Sequence, residues 1–327
     1  MIGLIQNELI KIFEKKMSWI FAIILILGLI GSAVLEMKVS DQQKEDDWKV
    51  QVQSEINKLE KKMEKAPSYN DLKEDEYPSE GTKEDIQAQI DDFNGNLTDN
   101  VNPYTTSWSY LGDFGIAMKS LITLFVVIVC AGNISSEFSD GTIKQLLIRP
   151  HRRWAILLSK YIAILIYSIF LLAVLAIAGY LVSIAFFGTA GFNDNIYAYN
   201  SAFSPETVSG GVYFLQNLAY YLPGLILILT LAFMLSTLFK NQAIAVGIGI
   251  FVLFFSSTVG SIIVGLSEKY AWTKALIFPH LDQTVFIMDD KILTNITMPI
   301  SLGILGVYYI IFMFITFFFF QKRDISI

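Results

Sequence analysis

The stretch of this chain that holds the most chemistry runs from 135 to 161 and reads SSEFSDGTIKQLLIRPHRRWAILLSKY. It lies between two long apolar runs and carries Glu137, Asp140, Lys144, Arg149, Arg152, Arg153 and Lys160. Such a set can titrate protons, hold a metal or substrate, or dock a charged partner. The first two need convergent groups, and the chain offers none. Only two histidines and one cysteine exist. No paired carboxylates, His cluster or Ser/His set shares one depth along the apolar runs, so an enzyme acting by itself is not expected. Cys130 sits inside an apolar run and reads as a packing residue. His280 reads as an ordinary interfacial polar residue. Docking remains. Gly141 allows a sharp entry, Thr142 can N-cap, Ile143 to Ile148 form a short amphipathic run, and Pro150 stops it. Acids at the start and arginines at the end suit the helix dipole. Orientation in a membrane is the plainer use of those arginines, but scattered lysines would serve it. The expectation is a stiff short helix shaped to dock into another protein.

The elements that must position this segment are apolar helices. Of 327 residues, 54% are hydrophobic and only 17% charged, against about 25% charged in soluble domains. Six runs without Asp, Glu, Lys, Arg or His are long enough to cross a bilayer core of roughly 20 residues. Lipid leaves backbone groups no water partner, and the runs do not alternate as barrel strands would, so helices are expected. The predicted fold class is an all-α polytopic membrane protein with six transmembrane helices, an interfacial amphipathic helix at the N-terminus and an extracellular helical hairpin between spans 1 and 2. The first run is expected to stay as an anchor, because no small-residue cleavage pattern follows it.

In order, the expected pieces are an interfacial helix over 1–16, span 1 over 17–36, an acidic insert over 37–113 and span 2 over 114–136. A cytoplasmic coupling loop over 137–154, span 3 over 155–188, an outer loop over 189–212, span 4 over 213–239 and span 5 over 242–266 follow. Outer interfacial or re-entrant helices over 267–295, span 6 over 296–320 and a tail over 321–327 complete the chain. Short-loop Lys and Arg set the orientation. Lys11, Lys15, Lys16, the 137–160 loop, Lys240, Lys322 and Arg323 put both termini and that loop in the cytoplasm. The insert then faces outward; residues 38–113 carry 18 acids and 9 lysines, a net charge of −9 in a chain of −6. Within it, Trp48, Val52, Ile56, Leu59 and Met63, then Ile86, Ile90, Phe93 and Leu97, recur at helical spacing and predict an antiparallel pair. In the opening helix, Ile2, Ile5, Leu9 and Ile12 form an apolar stripe for the inner leaflet.

Glu137-x-x-x-Gly141-Thr142, followed by Leu146-Leu147-x-x-Pro150-x-x-Arg153 and Lys160, resembles the cytoplasmic segment of ABC-2-type transporter permeases. Asn7-Glu8-x-x-Lys11 is similar to the start of the same permeases, including the bacterial bacitracin- and lantibiotic-resistance type. The architectural likeness covers the whole chain; the motifs cover about 40 residues, and the 37–113 insert departs from compact members. The resemblance implies a membrane-spanning exporter subunit in a bacterial plasma membrane, moving an amphipathic substrate such as an antimicrobial peptide, drug or lipid. The chain has no G-x-x-x-x-G-K-S/T phosphate loop, so ATP and Mg would be held by a separate ABC ATPase in two copies, beside a second permease subunit, identical or related. No cofactor of the chain's own and no nucleic acid is implied. ATPase coupling would fall to Glu8, Lys11, Glu137, Asp140, Gly141, Thr142, Arg149, Arg152 and Arg153, with Glu137 holding a basic partner or stapling two inner helices. Tyr220, Tyr221, Ser256, Ser257 and Thr258 are the polar groups expected along a central path. Two alternatives stand beside this reading. One is an ion-coupled secondary transporter, which usually keeps ionisable groups near the midplane; the central part of every span lacks them, and only Lys119 intrudes, near the outer end. The other is a sensor partner using the outer hairpin. Gly247, Gly249, Gly260, Gly265, Gly303 and Gly306 read as marks of close helix packing.

Overall fold

The computed structural model describes residues 1–39, 47–69, 81–139, 152–239 and 242–322. Among these, helix dominates. The N-terminal helix α1 (Ile2–Glu14) ends at Lys15, which is extended, and α2 (Lys16–Val39) starts at once in a new direction. The break leaves the last carbonyls of α1 without helical donors. Ser18 Oγ donates to the Ile12 carbonyl at 2.6 Å and Trp19 Nε1 to the Phe13 carbonyl at 2.8 Å, so the corner is closed by side chains of the next helix.

Four helices are long and apolar enough to cross a membrane: α2, α7 (Arg153–Phe187), α8 (Gly210–Leu238) and α10 (Met298–Lys322). The number rises to as many as six if each of two bent pairs is one span. Ser107–Gly115 and Lys119–Ser135 meet at 44°, and Val246–Ser256 and Thr258–Ser267 at 50°. The first pair comprises a short helix α5 (Ser107–Tyr110), a π-helical turn over Leu111–Gly115 and α6 (Lys119–Ser139); the second is α9 (Gln242–Ser267). At 1.5 Å per residue the 35-residue α7 is about 52 Å long, well beyond a hydrocarbon core of about 30 Å. Its two ends therefore reach past that thickness. The core lies where α2, α6, α7 and α8 meet, around Leu25, Val126, Ile164, Leu171 and Phe233. Cys130 is fully buried there, its Sγ 3.6 Å from the Leu229 carbonyl, as a packing residue should be.

The insert is the helical pair that the spacing predicts. Helices α3 (Trp48–Met63) and α4 (Lys83–Asp99) bury Val52, Ile56, Leu59, Ile86 and Ile90 against each other, flanked by Trp48, Met63, Phe93 and Leu97. Thr82 and Asp85 form a reciprocal capping box at the start of α4. Asn100 closes its end in the left-handed region, φ 52. From there Asp99 ties the insert to residues 189–212, accepting hydrogen bonds from Asn195 Nδ2 at 3.0 Å and Tyr197 Oη at 2.9 Å.

That piece corrects the all-α expectation. Residues 189–212 hold an antiparallel hairpin, β1 (Asn195–Tyr199) and β2 (Pro205–Ser209). Ile196 and Ala198 point inward while Tyr197 and Tyr199 stay outward; the alternation is five residues long, too short to stand out in a sequence. A second small pair, β3 (Lys291–Leu293) and β4 (Ile296–Thr297), precedes α10. The expected helices over 267–295 are 3₁₀ turns at Ala271–Ala275, Phe278–His280 and Thr284–Ile287.

His280 is the other correction: it is fully buried rather than interfacial. Its Nε2 lies 2.8 Å from the Lys274 carbonyl, which fixes the proton there, so Nδ1 accepts from Ser301 Oγ at 2.8 Å. Burial holds the imidazole below its ordinary pKa, against the opposing pull of the Lys274 carbonyl. His280 thus pins the 3₁₀ segment to the start of α10. The glycines also differ from expectation. Gly247, Gly265, Gly303 and Gly306 have open space where a Cβ would stand, and only Gly249 meets a neighbour closely, Val127. The close approach lies elsewhere, at Gly224 beside Pro223 in α8, where a Cβ would fall on the carbonyl oxygen of Leu281. Backbone cannot yield as a flexible side-chain tip can. Gly224→Ala is therefore expected to cost about 1–3 kcal/mol by overpacking and to lower the unfolding temperature of the detergent-solubilised chain. Gly303→Ala, facing open space, should leave it unchanged or slightly raised.

Candidate functional site

Helix α1 is amphipathic, but its buried face is not a plain apolar stripe. Ile2 is exposed, and the two residues most deeply covered are Ile12 and Glu8, the latter 3% exposed. A carboxylate in such a place needs partners. They come from helices far along the chain. Lys160, two turns into α7 and 2% exposed, donates to Glu8 Oε2 at 2.8 Å and to Glu137 Oε1 at 2.7 Å. Lys11, one turn after Glu8, donates to Glu8 Oε1 at 2.8 Å and to Glu137 Oε1 at 3.3 Å. Two ammonium groups and two carboxylates thus close a neutral ring that ties α1 to the last turn of α6 and the second turn of α7.

Burial alone would raise the Glu8 carboxyl; the Lys160 charge, then hydrogen bonds from Lys11 and Lys160, hold it below the ordinary carboxylate value. Burial would lower Lys11; its hydrogen bond to Glu8 and the charges of Glu8 and Glu137 hold it above the ordinary ammonium value. Glu8 and Lys11 are therefore charged at neutral pH. An intact buried pair contributes little against an apolar substitute, but removing one member leaves a buried charge and costs about 3–5 kcal/mol. The arrangement specifies which helix faces meet more than it adds stability.

Glu137 lies within α6, not in a loop, and joins α6 to α1 and α7 through Lys11 and Lys160. Arg152 precedes α7 and Arg153 opens it; both are exposed, and Arg153 Nη1 donates to the Gln321 carbonyl at 3.4 Å, near the end of α10. The ring and the two arginines lie at the same end of the bundle. Asp140, Gly141, Thr142 and Arg149, with the short helix expected around them, lie outside the described residues. Lys160 was legible as the last basic residue before an apolar run, yet nothing local points to a partner 152 positions earlier.

Of the expected path residues, Tyr221 and Ser256 come together. They line one cavity of about 240 Å³ at the opposite end of the bundle, with Thr123, Lys119 and Asp282. Tyr221 Oη donates to the Lys119 carbonyl at 2.7 Å and is in short contact with Thr123 Oγ1. Tyr220 is half-buried and Thr258 exposed, and neither lines the cavity. Ser257 sits in α9, but its side chain lies outside the described residues. Among the described residues no group of three or more His, Cys, Asp or Glu could hold a metal ion.

A family model described as "Protein of unknown function (DUF2705)" matches residues 98–326, which takes in Lys119, Glu137 and Lys160 but leaves α1 outside. The "Uncharacterized protein YhcI" of Bacillus subtilis (strain 168) is 34% identical over 328 residues, covering 100% of both chains. The "Uncharacterized membrane protein YdbK" of the same organism is 29% identical over 213 residues, covering 64% of this chain and 80% of its own.

The depressed Glu8 pKa gives a pH test. A carboxyl whose folded pKa lies below its unfolded value adds stability above the unfolded pKa, about 4.3, and loses it as pH falls through the folded one. The gap in unfolding temperature between the natural chain and Glu8→Gln should be full at pH 7 and close as pH drops below the ordinary carboxylate range. A gap that does not change with pH would mean that the Glu8 charge is irrelevant.

Proposed function

The chain belongs to the DUF2705 family, and we propose that it is the membrane-spanning subunit of an ABC exporter, driven by an ATPase on a separate polypeptide. The observation that carries this reading is the neutral ring of Glu8, Lys11, Glu137 and Lys160. It fastens an amphipathic surface helix to the bases of α6 and α7, on either side of the 140–151 segment. A lever has to be stiff at its root, because a push on a loose segment is dissipated before it reaches the spans. A buried ring of ion pairs at the junction supplies that stiffness. Exposed Arg152 and Arg153 lie beside it, suited to carboxylates on a partner. The resemblance of the 137–153 sequence and of the opening Asn7-Glu8-x-x-Lys11 to ABC-2-type permeases supports the same assignment.

In this reading α2, the α5–α6 pair, α7, α8, α9 and α10 make six passes. Both termini and the arginines face the cytoplasm, and the α3–α4 pair stands outside a bacterial plasma membrane. Lysines near the short inner connections support the orientation. Two such subunits with two ATPases would form the working unit, and the cargo would be an amphipathic peptide, drug or lipid. The chain's own part is to bind the ATPase and carry its closure into the spans; hydrolysis belongs to the partner.

The test is co-expression and reconstitution with candidate ABC ATPase subunits of the same cell. The chain and one of them should co-purify, and the membrane chain should raise ATP turnover. Arg152→Glu with Arg153→Glu should weaken the complex by about 10-fold or more, since like charges across an interface cost several kcal/mol. An undiminished complex with unchanged turnover would remove these arginines from the interface, and transport in vesicles lacking ATP would overturn the proposal.

A further inference from the structure

The basic residue at the opposite end of the bundle is held in a different way from Lys160. Lys119 begins α6 and is 8% exposed. Its Nζ donates to Asn217 Oδ1 at 3.1 Å and stands 5.4 Å from the centroid of the Tyr221 ring. An ammonium has three N–H groups to place, and Lys119 makes no ion pair among the described residues. A buried cation with no carboxylate in hydrogen-bond reach is costly, and Asp282 acts on it only through space. Beside it lies the cavity of about 240 Å³, below the range of drug-sized pockets and suited to one small polar group. Thr123, Tyr221 and Ser256 give it hydroxyls, and Ile228 and Leu281 give it an apolar wall.

Position narrows the ligand. Helix α6 has 21 residues, about 31 Å, which matches the hydrocarbon thickness of a bilayer. With the Glu137 end of α6 at one interface, Lys119 at the first residue stands near the opposite edge of the hydrocarbon, at glycerol level, and α5 carries the same pass on into the headgroups. Asp282, on the exposed rim of the same cavity, carries a negative charge; its Oδ1 is held by the Thr284 amide at 3.0 Å and hydroxyl at 2.6 Å. The cavity thus offers a deep cation and a shallow anion a short way apart.

We propose that this cavity binds the headgroup of an amine-bearing phospholipid, with its phosphate on Lys119 and its ammonium toward Asp282. Bound so, the phosphate supplies the direct ion pair that Lys119 lacks among the described residues, and the acyl chains leave along the apolar wall into the leaflet. The site does not depend on the exporter reading, because it can be assayed on the membrane chain alone without any ATPase.

The full chain, reconstituted in nanodiscs of equal phosphatidylethanolamine, phosphatidylglycerol and phosphatidylcholine, is released into native mass spectrometry and the retained lipids counted. Phosphatidylethanolamine should be enriched about tenfold over phosphatidylcholine, whose quaternary amine has no N–H to give. Lys119→Met should remove the retained lipid. Asp282→Asn, at the exposed rim and harmless to folding, should abolish the preference for phosphatidylethanolamine over phosphatidylglycerol while keeping a lipid bound. Retention of all three lipids in bulk proportion would overturn the proposal, as would Asp282→Asn keeping the full preference. Displacement of the lipid by millimolar free phosphoethanolamine would also overturn it, since the source would then be a soluble phosphate.

Discussion

A lysine with almost no access to water, Lys160, sets the terms for one whole end of this molecule. Its ammonium cannot stay in an apolar bundle without counter-charge, and Glu8 and Glu137 stand on either side of it at 2.8 and 2.7 Å. Meeting that demand requires the N-terminal helix to fold back beside α7. It also requires α6 to run on to its last turn and α1 to break from α2 at Lys15, with Ser18 and Trp19 closing the corner. Apolar packing alone would let α1 slide or rotate on its neighbours, because a surface of Ile and Leu has many near-equal registers. Alternating charges allow one.

The two ends of the bundle use lysine in opposite ways. At the α1 end the charges are closed on themselves, which rigidifies a junction. At the insert end Lys119 has an amide, an aromatic face and a cavity instead of a carboxylate. Closed charge suits a part that transmits force, and open charge suits a part that receives something. Between them the core is apolar, with small hydroxyl pairs such as Tyr161–Thr230 at 2.8 Å, and the long apolar helices α2, α6, α7, α8, α9 and α10 carry no Asp, Glu, Lys, Arg or His near their middles. That separation fits a chain whose work is mechanical at one end and recognitional at the other.

Much of the architecture was legible because it rests on periodicity. The α3–α4 stripes repeat every three or four residues, and the pair forms with those residues inside. The apolar runs become the long helices, since a length of 20 uncharged residues has few other uses. What could not be read depends on contacts between distant residues. Nothing near Glu8 announces Lys160, and counting apolar residues in the opening stripe passes over the acid that is buried beside Ile12. Gly224 matters because of a carbonyl 57 positions later, whereas Gly303 and Gly306 look alike in sequence and touch nothing. The β1–β2 hairpin escaped because five residues of alternation are too few, and His280 because a lone histidine carries no sign of its burial. Of the ring, Glu8, Lys11 and Glu137 stood among the residues expected to couple to an ATPase, while Lys160 at its centre was placed only in the motif.

The measurement that tests the account most directly is a double-mutant cycle across the ring, with Glu8→Gln, Lys160→Met and the two together, read as unfolding free energy in detergent. If the two residues share one buried interaction, each single change is strongly destabilising and the double change costs less than their sum by about 1–3 kcal/mol. If the two costs simply add, Glu8 and Lys160 act independently, and the ring does not hold α1 to α7.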